Sequence, residues 1–346
     1  MDPVTQAAMG GVMGELVLGR KLGWRAIALG CLFGTLPDLD IFFLPFAEQA
    51  QQLRIHRGFS HSILAMVSFA FIFCKPLSLA CRKQGVTTAR AWWFVFLAWS
   101  THVMVDVFTS YGTQVFGPFS DTMVATSNLF IIDPFFTLPM IIGLVLVCLK
   151  QPGSPERQRI MRRALLISSL YVAFSFTIKL WATNRMKAKM IEELPEAEFI
   201  SATPTPFNTL LWRGLIETED AYWVTYWSPF DDRDSKLEFL PKNRDLLKVF
   251  QGEELYETLD WFAQGHWVAR KLEDGKRVLV AVRFGEMRDL EEKEICSRFQ
   301  WHLYFDEAGM MRAPRYAKQV DAKPMLGLLF ERMWGRQDRW EEMKEF

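Results

Sequence analysis

Three histidines and four aspartates stand at the edges of apolar stretches, where ionisable side chains are costly and each is a functional hypothesis. Asp38 and Asp40 fall in TLPDLD, His56, Arg57 and His61 in HRGFSHS, and His102 and Asp106 in STHVMVD; Asp133 opens a further apolar run. His102 and Asp106 are i and i+4 and share a helix face, which offers an imidazole and a carboxylate to one ion or to two adjacent ions. His56 and His61 are five apart, about 140° around an α-helix. They reach one site only if a loop lies between them, and Gly58 with Ser60 as N-cap of the next helix supplies one. Asp38 and Asp40 lie on opposite sides of a regular helix, but Pro37 disfavours helical backbone at residue 36. A break there lets both carboxylates point into one cavity, the setting in which broken helices are tolerated in membranes.

No cysteine is near these residues in sequence. Imidazole and carboxylate ligands suit a borderline-hard divalent metal: zinc first, manganese or iron as alternatives, as one ion or two. A hydrolytic site uses such ions to lower the pKa of a bound water and to polarise the bond being cut. Asp38 or Asp106, where not fully engaged by metal, serves as general base, and Arg57 holds an anionic part of the substrate. Each motif alone has a plainer reading: a chance HxxxD pair, a helix cap, a solvated His–Arg pair, or polar glue between spans. Their occurrence together at one depth favours the metal site over these. Gln6 and Glu15 reach the site only if the N-terminal segment packs against it, and TSYGT at 109–113 reads mainly as a turn. His266 and His302 read as structural.

The elements that must position these groups are membrane helices. Residues 24–46, 62–81, 91–111, 129–149 and 164–182 are each mostly apolar, and about 20 such residues span a bilayer as a helix. Residues 4–19, about 24 Å as a helix, predict a short helix folded against the next span, with Gly10, Gly11 and Gly14 suited to close packing; a cytoplasmic interfacial helix is the competing reading. Arg20, Lys21 and Arg25, then Arg82, Lys83 and Arg90, then Lys150, Arg157, Arg159, Arg162 and Arg163 fall on one side if all five segments cross, which makes that side cytoplasmic. Every candidate ligand then lies toward the outer side. A formal net charge of zero argues against a nucleic-acid partner. The five cysteines are scattered, only Cys296 lying beyond the apolar half, so no disulfide framework forms there within one chain. No cleaved signal peptide is expected, since the first basic residue is Arg20. The sequence carries no signal of oligomeric state.

Six stretches, MDPVTQAAMGGVMGE, LGRKLG, GTLPDLD, HRGFSHS, THVMVDVFTSYGT and IIDPFF, occur in this order over about the first 135 residues. With them the chain resembles the YdjM-like family, described as LexA-regulated or LexA-binding, inner-membrane-associated metal-dependent hydrolases. The resemblance implies a multi-span protein of the bacterial inner membrane with a His/Asp metal centre at Asp38, Asp40, His56, His61, His102, Asp106 and Asp133. Many members read Thr-His near the start, where this chain has Thr5-Gln6. A histidine ligand is therefore missing there or replaced by the weaker Gln6, and the number of ions stays open.

Beyond about residue 186 the chain turns charged and aromatic. Residues 222–227, 277–284 and 299–305 predict strands, separated by turns at 228–232, 273–276 and 306–309. Residues 243–263 predict one or two short helices, and Pro204 and Pro206 an extended entry at 203–212. Eight of the thirteen tryptophans lie in this half, as core or resting on the headgroup layer. The expected architecture is an α-helical polytopic membrane domain at 1–185, with five long spans and a short N-terminal helix, then a small β-rich α+β soluble domain at 186–346 facing the periplasm. The expected function is hydrolysis of an ester or phosphoester of a lipid or lipid-linked substrate near the periplasmic headgroup layer. A metal or proton transporter, or a non-catalytic envelope scaffold binding a partner through its soluble half, are the alternatives.

Overall fold

The computed structural model describes residues 1–272, 275–289, 294–316 and 322–344. The chain divides into two compact units, Met1–Phe176 with Pro206–Asn208, and Thr177–Thr205 with Thr209–Phe346.

In the first unit Asp2 caps helix α1 (Pro3–Leu22), its carboxylate accepting from the Val4 and Thr5 amides. Gly23, at φ +59°, turns the chain into α2 (Trp24–Thr35), and a left-handed backbone there favours glycine. The two helices touch backbone to backbone. A Cβ added at Gly10 would lie 2.2 Å from the Gly30 carbonyl oxygen, and one at Gly34 2.7 Å from that of Gln6. This contact sets Gln6 beside Gly34, a placement the site depends on. At Leu36 the chain tightens into a 3-10 helix, Leu36–Phe46. Three residues per turn puts Asp38 and Asp40 about 120° apart rather than on opposite sides. A short α3 (Gln49–Ile55) returns to His56. Helix α4 (Ile63–Ala80) is capped by Ser62, which accepts from the Ala65 amide. The cap is thus two residues later than expected, and Ser60 is released for another role. Helix α5 (Thr88–Val107) packs against α1, α2 and α4, burying Ala91, Phe94, Val95, Ala98 and Trp99. Helices α6 (Pro134–Cys148) and α7 (Pro155–Glu193) complete the unit.

Among the described residues, three segments are long and apolar enough to cross a bilayer by length and composition: Trp24–Phe46, Ile63–Ala80 and Pro155–Glu193. The other two of the five expected spans do not meet this criterion. Helix α6 has 15 residues, about 22 Å against a hydrocarbon core of about 30 Å. Helix α5 has the length, but it carries Ser100, Thr101, His102 and Asp106, the last two on its buried face. The basic loops meet at the end of the unit away from these groups. A Cβ at Gly85 would lie 3.5 Å from Lys21 Nζ, and one at Gly23 3.3 Å from Pro152. There Arg157 donates twice to buried Glu15, at 2.8 and 2.6 Å, an arrangement that satisfies both charges out of water.

In the second unit, the end of α7 packs Ile178, Ala182 and Met186 against Ala202, Trp212 and Trp227. One antiparallel sheet runs β1 (Glu198–Pro204), β2 (Trp212–Glu217), β3 (Ala221–Trp227), β4 (Glu238–Pro241) in order. A 3-10 helix, Arg244–Phe250, and α8 (Glu254–Ala263) follow. Strands β5 (Trp267–Lys271) and β6 (Arg277–Ala281) precede a short hairpin of β7 (Met287–Asp289) and β8 (Glu294–Cys296). With β9 (Gln300–Phe305) and β10 (Met311–Arg312) the second sheet is ordered β10-β9-β6-β5. The turn expected at 273–276 falls partly outside the described residues. Trp212, Trp227, Trp267, Trp301 and Trp340 are buried core, while Trp334 is exposed. Glu217 accepts from Lys242 at 2.8 Å and lies 3.3 Å from His266 Nδ1; burial lowers the His266 pKa, with Glu217 opposing.

Candidate metal centre

The convergence is built from hydrogen bonds that fix which nitrogen of each histidine is free. His102, buried on α5, meets the Gly34 carbonyl with Nδ1 at 2.6 Å. A carbonyl only accepts, so Nδ1 carries the proton and Nε2 presents a lone pair. His61 lies in the 3-10 turn Phe59–His61 and is fully buried. Its Nδ1 faces Ser60 Oγ at 2.8 Å and Asp40 Oδ2 at 3.5 Å. Ser60 spends its own proton on Asp40 at 2.9 Å, so Nδ1 of His61 donates and Nε2 again has a lone pair.

The two Nε2 atoms face each other at 3.1 Å. Asp38 Oδ1 is 3.4 Å from each. Asp106 Oδ2 is 3.3 Å from His61 Nε2 and 3.6 Å from His102 Nε2, and has no hydrogen-bond partner of its own. Four potential ligand atoms thus lie within 4.8 Å of one another, and both Nε2 atoms carry lone pairs when the imidazoles are neutral. A tetrahedral ion with bonds of about 2.0–2.1 Å separates its ligands by roughly 3.3–3.4 Å; three of the separations, at 3.3–3.4 Å, match this and two more, at 3.1 and 3.6 Å, lie near it. The residues present fit a divalent metal. They also carry the outer bonds such sites use, each imidazole donating its second N–H to a carbonyl or to a hydroxyl–carboxylate pair.

The rest of the site holds this set in place. Asp106 Oδ1 accepts from Gln6 Nε2 at 2.9 Å, lies 3.2 Å from Arg57 Nη2, and meets the Met1 amino group. With that oxygen occupied, only Oδ2 is offered to an ion. Gln6 also reaches the His102 carbonyl at 3.3 Å. Thr109 donates to the Asp106 carbonyl at 2.8 Å and accepts from Arg57 Nη1 at 3.1 Å. Arg57 is buried, with a left-handed backbone at φ +59° and its guanidinium 4.7 Å from the Tyr111 ring centre.

Of the seven expected ligands the structure brings Asp38, His61, His102 and Asp106 into the cluster. Asp40 stands behind it, accepting from the Arg57 amide and Ser60 and pairing with His56 Nδ1 at 3.0 Å. Asp133 lies elsewhere: it caps α6 through the Phe135 and Phe136 amides and accepts from Tyr171. Gln6, Ser60 and Thr109 hold the site more closely than their types suggested. Ser60 had a signal in its place between two histidines. The Gly34 carbonyl had none, because a backbone acceptor leaves no trace in residue type.

Among the described residues of the second unit, His266 lies near Glu217 and His302 stacks on Tyr316 at 4.4 Å. No solved structure matches the chain. "Uncharacterized protein YfhP" of Bacillus subtilis (strain 168) is 30% identical over 234 residues, 65% of this chain and 67% of that protein. The YdjM inner membrane protein family matches residues 1–182, which hold every member of the cluster and its supports. This chain, built as a helical membrane unit around a His/Asp centre, belongs to the YdjM inner membrane protein family.

Proposed function

We propose that the protein is a membrane-bound metal-dependent hydrolase that cuts an ester or phosphoester of a lipid or lipid-linked substrate near the periplasmic headgroup layer. One observation carries the reading: four potential ligand atoms from three chain segments lie within 4.8 Å of one another. A divalent ion held there, zinc by preference for this donor set, supplies a water of lowered pKa and polarises the bond being cut. His61, His102 and Asp106 are buried, whereas the Asp38 side chain is 24% exposed. Asp38 therefore stands at the opening, as the exchangeable ligand and general base. Arg57 keeps Asp106 oriented, and its Nε–H, buried without a partner, is offered to an anionic substrate group. The basic loops at the other end of the unit support an outward-facing site and a periplasmic second unit. A transporter needs a polar path to that end, and the buried face of α1 beyond Gln6 is instead filled by Met9, Val12 and Met13.

The test is lipid profiling of a deletion strain beside a strain carrying Asp106→Ala. The proposal expects the same lipid to accumulate in both. A changed profile on deletion with a normal one in Asp106→Ala refutes hydrolysis and favours a scaffold.

A further inference from the structure

The segment following Asp40 is more apolar than a loop at a membrane surface needs to be. From Asp40 to Phe46 the 3-10 helix advances about 12 Å, and α3 brings the chain back over about 10 Å to His56, which bonds Asp40. Residues 40–56 thus form a hairpin rooted at the metal centre. Its outer helix presents Phe42 at 65%, Phe43 at 67% and Phe46 at 89% exposure. Beside its root stand Phe59 and the loop bearing Phe119, both exposed. That loop is pinned by the Gln114 amide on the Arg57 carbonyl, by the Ile63 amide on the Val115 carbonyl, and by the Arg54–Asp121 ion pair at 3.2 Å.

A cluster of bare phenylalanines marks an apolar partner. Its occupant follows from continuity. Trp24–Phe46 is as a whole apolar enough to lie in the bilayer, so this surface extends the lipid-facing one of α2 and α4, where Leu32, Phe71 and Ile72 are also exposed. Asp38 sits within that segment, with apolar residues on both sides in sequence. Asp38, the part-exposed member of the cluster, therefore belongs to the same bilayer-suited segment as these phenylalanines.

We infer that the hairpin at 40–56, with Phe59 and Phe119, is the acyl-chain surface of the site, and that the substrate is a glycerophospholipid entering sideways from the bilayer. The bond presented to Asp38 is the ester or phosphoester adjoining the chains, not one in a remote water-soluble group. This rests on the hydrolase reading for its chemistry, but the lipid surface stands or falls separately.

The experiment uses the full chain in vesicles of phosphatidylethanolamine and phosphatidylglycerol, doped with phosphatidylglycerol carrying a diazirine near the carboxyl end of one acyl chain. After photolysis, labelled peptides are mapped by mass spectrometry, and metal content is measured on the same samples. The expected result is label at residues 56–59 and at Tyr111, reduced at least about tenfold by Phe42→Ser, Phe43→Ser and Phe46→Ser together, equivalent to about 1.4 kcal/mol of lost binding. The corresponding Phe→Leu triple should retain it, as should Phe71→Ser on α4. Label confined to α4 and α6 in the wild type overturns the inference, as does undiminished label at 56–59 in a folded serine triple. If label is present but the protein binds no metal, the hydrolase reading fails and the lipid surface survives; metal without label gives the converse.

Discussion

Replacing Asp40 by asparagine separates a metal ligand from a group that supports one. Asp40 lies behind His61, its Oδ2 accepting from the Arg57 amide at 3.1 Å and Ser60 at 2.9 Å, and its Oδ1 facing His56 at 3.0 Å. Asparagine keeps the size and one oxygen. His56 can change tautomer to accept from the new NH2 group, so the amide oxygen stays toward Ser60 and the geometry survives. What is lost is the negative charge that makes the His61 imidazole a stronger ligand through Ser60. Such losses weaken metal binding about 10–100-fold, equivalent to about 1.4–2.7 kcal/mol. Competition of the detergent-solubilised protein against a chromophoric chelator reads this directly. Asp40→Asn should still bind metal at saturation, with the affinity lowered by that factor, while His61→Ala should not fill the same site. Complete loss of metal in Asp40→Asn would make Asp40 a ligand, and an unchanged affinity would break the claimed coupling; either refutes the reasoning.

Glu15→Ala leaves Arg157 buried without its partner, which costs about 3–5 kcal/mol and should lower the thermal midpoint sharply without changing the metal stoichiometry of the folded fraction. Gly10→Ala drives a methyl into the Gly30 carbonyl and should cost about 1–3 kcal/mol; because the same helix contact places Gln6 and Gly34, chelator competition should show weaker metal binding as well. In the second unit, burial holds the His266 pKa below its ordinary value, with Arg283 and Arg244 adding to the effect and Glu217 opposing it. The unfolded chain then binds the proton more readily, so stability is full above about pH 6.5 and falls as pH drops through that value. His266→Gln should flatten the acid limb of thermal midpoint against pH for the full chain.

The histidine and aspartate motifs were legible because ionisable groups in apolar sequence are conspicuous, and the i, i+4 spacing of His102 and Asp106 needed only helix geometry. The order of the ligand set around its ion was not. Asp38 and Asp40 differ by two residues, and only the 3-10 winding after Pro37 sends one to the cluster and the other behind it. Asp133 matched the others in depth and type, but its carboxylate serves the α6 amides. Helix α5 falls short of the span criterion for a related reason: the groups it turns to the site, His102 and Asp106, are among its least apolar residues. In the second half, the aromatic runs at 222–227 and 299–305 correspond to β3 and β9. Strands β1 and β2 carry Pro204 and Gly214, which weakened their pattern; Gly214 is needed where Met186 would lie 2.7 Å from a Cβ.

X-ray absorption at the metal edge of the purified protein tests the central claim most directly. The account predicts one bound divalent ion with a first shell of nitrogen and oxygen only at about 2.0–2.2 Å, two imidazoles giving the outer scattering pattern, and one imidazole fewer or no metal in His102→Ala. Sulfur in the shell, a spectrum unchanged by His102→Ala, or protein that retains no metal when purified without chelator and given zinc would contradict it.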